Sequence, residues 1–240
     1  AIIATINEPI LILDHNLCIK SANKPFYNKF KVNEKDTEGV LLYDLGNGQW
    51  NIPRRRELLG ALGVDFEVLP SHIDETPRPG ETPFQTQRRV THDKAATVAA
   101  SLADPTRDVT ACDTTVLLDG DMLNKPEDAA EARQMLTRLR GRLHEVRSCV
   151  VVARDGVAHA AEVSSRVLMR AFSDDEMEAY IATGDPFDKA GSYAVQHPEF
   201  KPVMEIRGCP LNVIGLPLCR LRGMLPELPE CGDVCARYSG

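Results

Sequence analysis

The chain has 240 residues, 43% of them hydrophobic and 26% charged, which is the balance of a soluble globular protein able to bury a substantial core. Its formal net charge of -7 argues against a nucleic-acid polymer as partner, because phosphate backbones select basic surfaces, but leaves room for a small anion in a local basic pocket. No apolar run approaches the ~18 residues of a membrane span and no basic-then-apolar leader opens the chain, so a cytoplasmic protein without a membrane partner is expected.

In chain order, Ile10–Leu13 reads as an apolar strand, Asp14, His15 and Asn16 as a turn, and Leu17–Ser21 as a returning strand. Asn23 is placed to cap a helix carrying Phe26, Tyr27 and Phe30 at helical spacing. After Pro53 the pattern becomes αβ. Arg54–Leu62 is predicted as a helix stopped by Gly63, and Asp65–Leu69 as a short strand. A Pro-rich loop precedes a helix over Gln85–Leu102, which the Asp104-Pro105 pair closes. A strand lies within Asp108–Leu118, a turn at Gly120, and a helix over Pro126–Leu139. His144–Arg154 and Val157–Met169 read as a hairpin through Asp155-Gly156. Ser173 caps a helix through Ile181, Gly184–Gly191 is a loop, and Asn212–Leu225 starts a last helix broken by Pro217 and Pro226.

Four stretches carry candidate chemistry. Arg54, Arg55 and Arg56 follow Pro53 at the start of a helix, where free backbone N–H groups favour an anion and guanidinium groups add paired donors; a solvated basic face is the alternative. In VTACDTTV, Asp113 is expected at the carboxyl end of a strand, facing Lys125 across one turn, or else forming a surface ion pair. Asp74, Glu75 and Glu81 crowd one loop, and Lys94 sits on the next helix. Glu75 and Asp113, from separate segments, would suit a magnesium ion bound to a substrate phosphate. Finally, Asp188, Lys189, Gly191 and Gln196 occupy a Gly-interrupted loop able to close over a ligand, or simply a long turn.

The six histidines lack metal-ligand spacing. Of the seven cysteines only Cys231 and Cys235 are close, and CGDVC lacks a second ligand pair for zinc, so reduced thiols are expected.

The order PRRRELL, HIDET, DKAA, ACDTTV, LNKPEDAAEARQMLTRLRG, YIATGDPFDKAGSYAVQ and NVIGLPL resembles the Maf family of nucleoside triphosphate pyrophosphatases over roughly residues 53–226. The resemblance implies an α/β fold like that of inosine triphosphate pyrophosphatases, a mixed sheet with flanking helices and a nucleotide cleft. It implies hydrolysis of a nucleoside triphosphate to monophosphate and pyrophosphate with a divalent cation, Mg²⁺ or Mn²⁺. By the same resemblance, Asp113 and Glu75 are catalytic and metal-binding, and Arg54, Arg55, Lys94 and Lys125 contact phosphate. Asp113-Thr114-Thr115 looks like the branch acting on dTTP and UTP, with Arg54, Thr114 and Gln196 at specificity positions, and relatives of this kind are often homodimers.

Residues 1–52 resemble the N-terminal half of a PAS sensor domain, in ILDHNLCIKSANKPFYNKF and GVLLYDLGNGQWNIP. Maf proteins open with an apolar strand running into Ser-x-Ser-Pro-Arg-Arg, whereas Gln49, Trp50, Asn51 and Ile52 precede Pro53 here. The chain therefore reads as a chimera: a PAS-like fragment over 1–52, a Maf-like domain over 53–226 and a tail over 227–240. A non-catalytic sensory or interaction module is the rival reading.

Overall fold

A computed structural model describes residues 11–13, 19–22, 24, 53–104 and 106–237. The chain divides into two compact units, 1–54 and 55–240. In the first, β1 (Leu11–Leu13) and β2 (Ile19–Ala22) form an antiparallel pair, the expected hairpin, with its second strand displaced toward Ala22. The expected helix after Asn23 and the GVLLYDLGNGQWNIP stretch lie outside the described residues, apart from Lys24, Pro53 and the helix that Pro53 begins.

Beyond that join the elements are α1 (Pro53–Ala61), α2 (Pro83–Ser101), β3 (Val109–Leu118), β4 (Asp121–Leu123), α3 (Ala129–Leu139), β5 (Leu143–Arg154), β6 (Val157–Met169) and α4 (Asp174–Ala182). They are followed by β7 (Val203–Arg207), α5 (Pro210–Ile214), α6 (Leu218–Met224) and α7 (Gly232–Arg237). The sheet has the order β4-β3-β5-β6-β7. The expected mixed sheet is corrected: every pairing among the described residues is antiparallel. Two tight turns enforce this. Asp119-Gly120 and Asp155-Gly156 each place both residues at positive φ, the twist that joins antiparallel neighbours directly.

Local chemistry sets the helix starts. Thr82 caps α2 by accepting from Gln85 N, while the Gln85 side chain accepts from Thr82 N, a reciprocal capping box. Ser173 and Glu176 do the same for α4. Asp128 accepts from Glu131 N at 2.8 Å, so α3 begins after Asp128 rather than at Pro126. Asp65–Leu69, expected as a strand, joins no ladder among the described residues, and a strand needs a neighbour to pair with. β4 and β7 were not anticipated. Both are short and polar enough to read as loops.

The sheet separates two sets of core contacts. Val116, Leu118, Val146 and Val167 pack under α3 and α4 around Leu136, Leu139 and Tyr180. Farther along the same side of β3 and β5, Cys112, Val150 and Val152 meet Leu58 of α1, Leu211 of α5 and Leu218 and Leu221 of α6. Residues of the opposite parity on these strands, Val109, Cys149, Val151 and Ala153, cluster instead with Ala95 of α2. This alternation is the period of two in an extended chain, and it decides where the chemistry-bearing residues of β3 point.

Candidate active site

Asp113 occupies the middle of β3, opposite Cys149, and not the strand's carboxyl end as expected, because the β-branched run Thr114-Thr115-Val116 carries the strand on to Leu118. Its parity matches Ala111, so it joins the α2 side. There Lys94 reaches it, with Nζ 3.3 Å from Asp113 Oδ1 and 2.9 Å from Glu75 Oε1. One ammonium thus bridges two carboxylates from different segments. Gln87 of α2 fixes the helix to the strand pair by donating through Nε2 to the carbonyls of Asp113 and Arg147, each at 3.0 Å.

The loop carrying Glu75 is tied down from the same helix. Arg89 donates to both carboxylate oxygens of Glu81, at 2.7 and 2.9 Å, and to the carbonyl of Thr76 at 2.9 Å. Asp74 turns back to accept from Thr76 N. The three loop acids therefore separate into two that shape the loop and one, Glu75, that faces Lys94. The Arg89 guanidinium holds the Glu81 carboxyl down at about 2, helped by a hydrogen bond from Arg78 N.

The arginine triplet also divides. Arg55 donates through Nη1 to the carbonyl of Cys112 at 2.7 Å, on a stretch of β3 that pairs with β5 but lies beyond its pairing with β4. Its guanidinium lies beside Thr114, since a Cβ built on Gly215 would stand 3.6 Å from Arg55 Nε and 3.6 Å from Thr114 Oγ1. Arg56 turns to the ring of Phe66, 5.8 Å from its centroid. The side chain of Arg54 lies outside the described residues. Thr114, one residue on from Asp113, shares a 2.7 Å hydrogen bond with Ser148 Oγ on the side away from α2.

Lys125 follows β4. Desolvation lowers its ammonium pKa although the residue is exposed, with Asp188 opposing and Arg55 reinforcing that shift; Glu75 and Asp113 also oppose it. The structure thus brings Arg55, Glu75, Lys94, Asp113, Thr114 and Lys125 into one neighbourhood around β3. Asp188 was expected in a loop able to close over a ligand, and its place beside Lys125 emerges from the structure.

The 184–196 loop is held by internal hydrogen bonds. Lys189 fastens the loop to itself. Its Nζ donates to the carbonyl and carboxylate of Asp185, at 2.7 and 2.9 Å, and to Asp188. Gly191 is buried against Val116, with its N–H bonded to the Asn124 carbonyl beside Lys125. Tyr180 secures the same loop by donating to Asp185 Oδ2 and accepting from Ala194 N. Gln196 sits in an exposed turn, and its side chain makes no hydrogen bond among the described residues.

The fold and site define an α/β domain that concentrates two carboxylates with lysine and arginine cations around one strand of an antiparallel sheet. The sequence pattern described as Maf-like protein matches residues 52–228, and the chain belongs to that family. It is 46% identical over 165 residues to a dTTP/UTP pyrophosphatase of Thermomicrobium roseum, covering 68% of this chain and 75% of the relative. It is 45% identical over 176 residues to a dTTP/UTP pyrophosphatase of Methylococcus capsulatus, covering 73% and 87%. To the protein of the same description from Syntrophus aciditrophicus it is 43% identical over 178 residues, covering 73% and 86%. Among the described residues no helix is long and apolar enough to cross a membrane.

Proposed function

We infer that this chain hydrolyses nucleoside triphosphates to the monophosphate and pyrophosphate, with dTTP or UTP as substrate. The relatives' shared description supports the reading, and the single observation that carries it is Lys94 Nζ bridging Glu75 and Asp113 beside Lys125 and Arg55. A triphosphate needs cations around its oxygens and a base near its α-phosphorus, and this neighbourhood contains both.

In the proposed reaction the Asp113 carboxylate takes a proton from water as the water oxygen bonds to the α-phosphorus. The bond from that phosphorus to the bridging oxygen breaks, and pyrophosphate leaves with its charge met by Lys94, Lys125, Arg55 and Arg54. Glu75 and Asp113 suit a hard divalent cation, because both are oxygen donors already sharing one positive group. Mg²⁺ or Mn²⁺ bound there would supply charge neutralisation on the phosphate oxygens. Arg54, Thr114 and Gln196 are proposed to select the base.

The domain limits 53–226, the cytoplasmic location and a homodimer complete this reading. The assignment of 1–52 as a PAS-like leader in a chimera rests on sequence resemblance alone, as does the rival sensory module. The test is pyrophosphate release from dTTP with Mg²⁺ for the full chain and for Asp113→Asn. A loss of at least ~100-fold with an unchanged melting temperature supports the assignment, and equal turnover removes it.

A further inference from the structure

Where α6 and α7 meet, three sulfurs converge. Cys219 Sγ, in the first turn of α6, lies 3.0 Å from Cys231 Sγ and 3.2 Å from Cys235 Sγ, and all three are within 4.8 Å of one another. Cys231 directly precedes α7 and Cys235 lies within it. The Cys235 N–H bonds to the Cys231 carbonyl at 2.8 Å, closing a helical turn that puts both sulfurs on one side. The C-x11-C-x3-C spacing does not announce this grouping, since the turn between α6 and α7 is what returns the chain to Cys219.

Three neutral thiols gain little from such crowding, because S–H is a weak donor and sulfur a weak acceptor. We propose that Cys219, Cys231 and Cys235 form a site for one thiophilic divalent cation of the zinc class, with water in the fourth position on the exposed side of Cys219. Thiolates at about 2.3 Å from a tetrahedral ion stand roughly 3.8 Å apart, so the present cluster needs only modest opening. On binding, three S–H groups give three protons to solvent and three metal–sulfur bonds form, with no change of oxidation state. A disulfide would use two sulfurs and leave the third outside, whereas the cation uses all three.

The site has a structural consequence. α7 has six residues, too few to hold a helix unaided, and its flanking Cys231 and its Val234 share a core with Leu58 and Leu62 near α1. A cation joining α6 to α7 would brace that core behind the helix carrying Arg55. Its soft sulfur donors would also keep it separate from the hard-oxygen pair Glu75 and Asp113.

The test uses the full chain, reduced and stripped by a chelator, titrated with Co²⁺ and then Zn²⁺. Thiolate-to-cobalt absorption saturating at one ion per chain, its displacement by Zn²⁺, and zinc protection of these three thiols from maleimide are expected. The Cys219→Ser/Cys235→Ser variant should bind zinc at least ~100-fold more weakly and lose the zinc-induced rise in melting temperature. Cys209→Ser should retain both. If that double variant does not fold, maleimide mapping of the unaltered chain decides the matter. Failure of Co²⁺ to saturate, or a disulfide through Cys219 in metal-free protein as isolated, overturns the proposal. Nucleotide hydrolysis is read separately, so its failure would leave this result standing.

Discussion

Lys94 Nζ lies 3.3 Å from Asp113 Oδ1 and closer still, at 2.9 Å, to Glu75 Oε1. The ammonium therefore belongs to the pair of carboxylates as much as to either one. Glu75 is more than half exposed, so the contact contributes little to folding but sets the charge pattern that a triphosphate and its cation would meet.

Lys94→Met should accordingly lower kcat/KM for dTTP by about 100-fold, while moving the unfolding free energy by less than ~1 kcal/mol. Lys94→Arg should restore part of the activity, since the charge returns with a different fork geometry. Steady-state kinetics beside urea unfolding separate the two effects. A large stability loss in Lys94→Met would make the residue a structural support.

Gly191→Ala should destabilise the domain by about 3 kcal/mol, because a Cβ there would lie 2.9 Å from Val116 Cγ1 and the backbone φ is +70°. Gly156, at φ +77°, has nothing within 4 Å of a built Cβ, so Gly156→Ala should cost about 1 kcal/mol. Parallel denaturant unfolding checks the difference. Equal costs would show that the strand β3 yields easily at Val116.

These two predictions mark what was legible in the sequence. The Asp155-Gly156 hairpin and the Ser173 cap are local signals, settled by residues adjacent in the chain, and the structure contains both. Asp113 was readable at a strand's end, Glu75 in an acidic loop, Lys94 on the next helix and Lys125 before a Pro-started helix, and resemblance grouped them. The meeting of Glu75 and Asp113 through Lys94 depends on α2 lying along β3. Side-chain allegiance was less legible. Lys189 looks like a site cation until Asp185 and Asp188 are seen to occupy it, and Cys219 looks isolated until α7 folds back. A partner contributed from another segment changes a residue's meaning without changing its local pattern.

Acid should expose the Glu81–Arg89 fastening. The folded Glu81 carboxyl is held at about 2, below its ordinary value, so its contribution is fully present above the unfolded pKa and disappears as pH falls toward 2. Glu81→Gln should flatten that part of the stability curve between about pH 4.5 and 2. Unfolding followed across this range gives the answer. An unchanged slope would mean that the loop's charge pair is equally formed in the unfolded chain.

Lys125 tests the opposite sign. Desolvation, the largest influence, lowers its pKa, with Arg55 acting in the same direction. The folded protein therefore loses this proton at a lower pH than the unfolded chain does, and the charged form costs stability below the folded pKa. That cost is relieved as pH rises from the folded to the unfolded value. If charged Lys125 holds phosphate, kcat/KM should fall on the alkaline side before an ordinary lysine would titrate. Lys125→Arg keeps its charge throughout that range, so its alkaline limb should move to higher pH even if its maximum rate is lower. Full pH profiles of kcat/KM for both proteins, with the metal concentration fixed, measure the displacement. Superimposable alkaline limbs would take Lys125 out of the substrate-binding charge set.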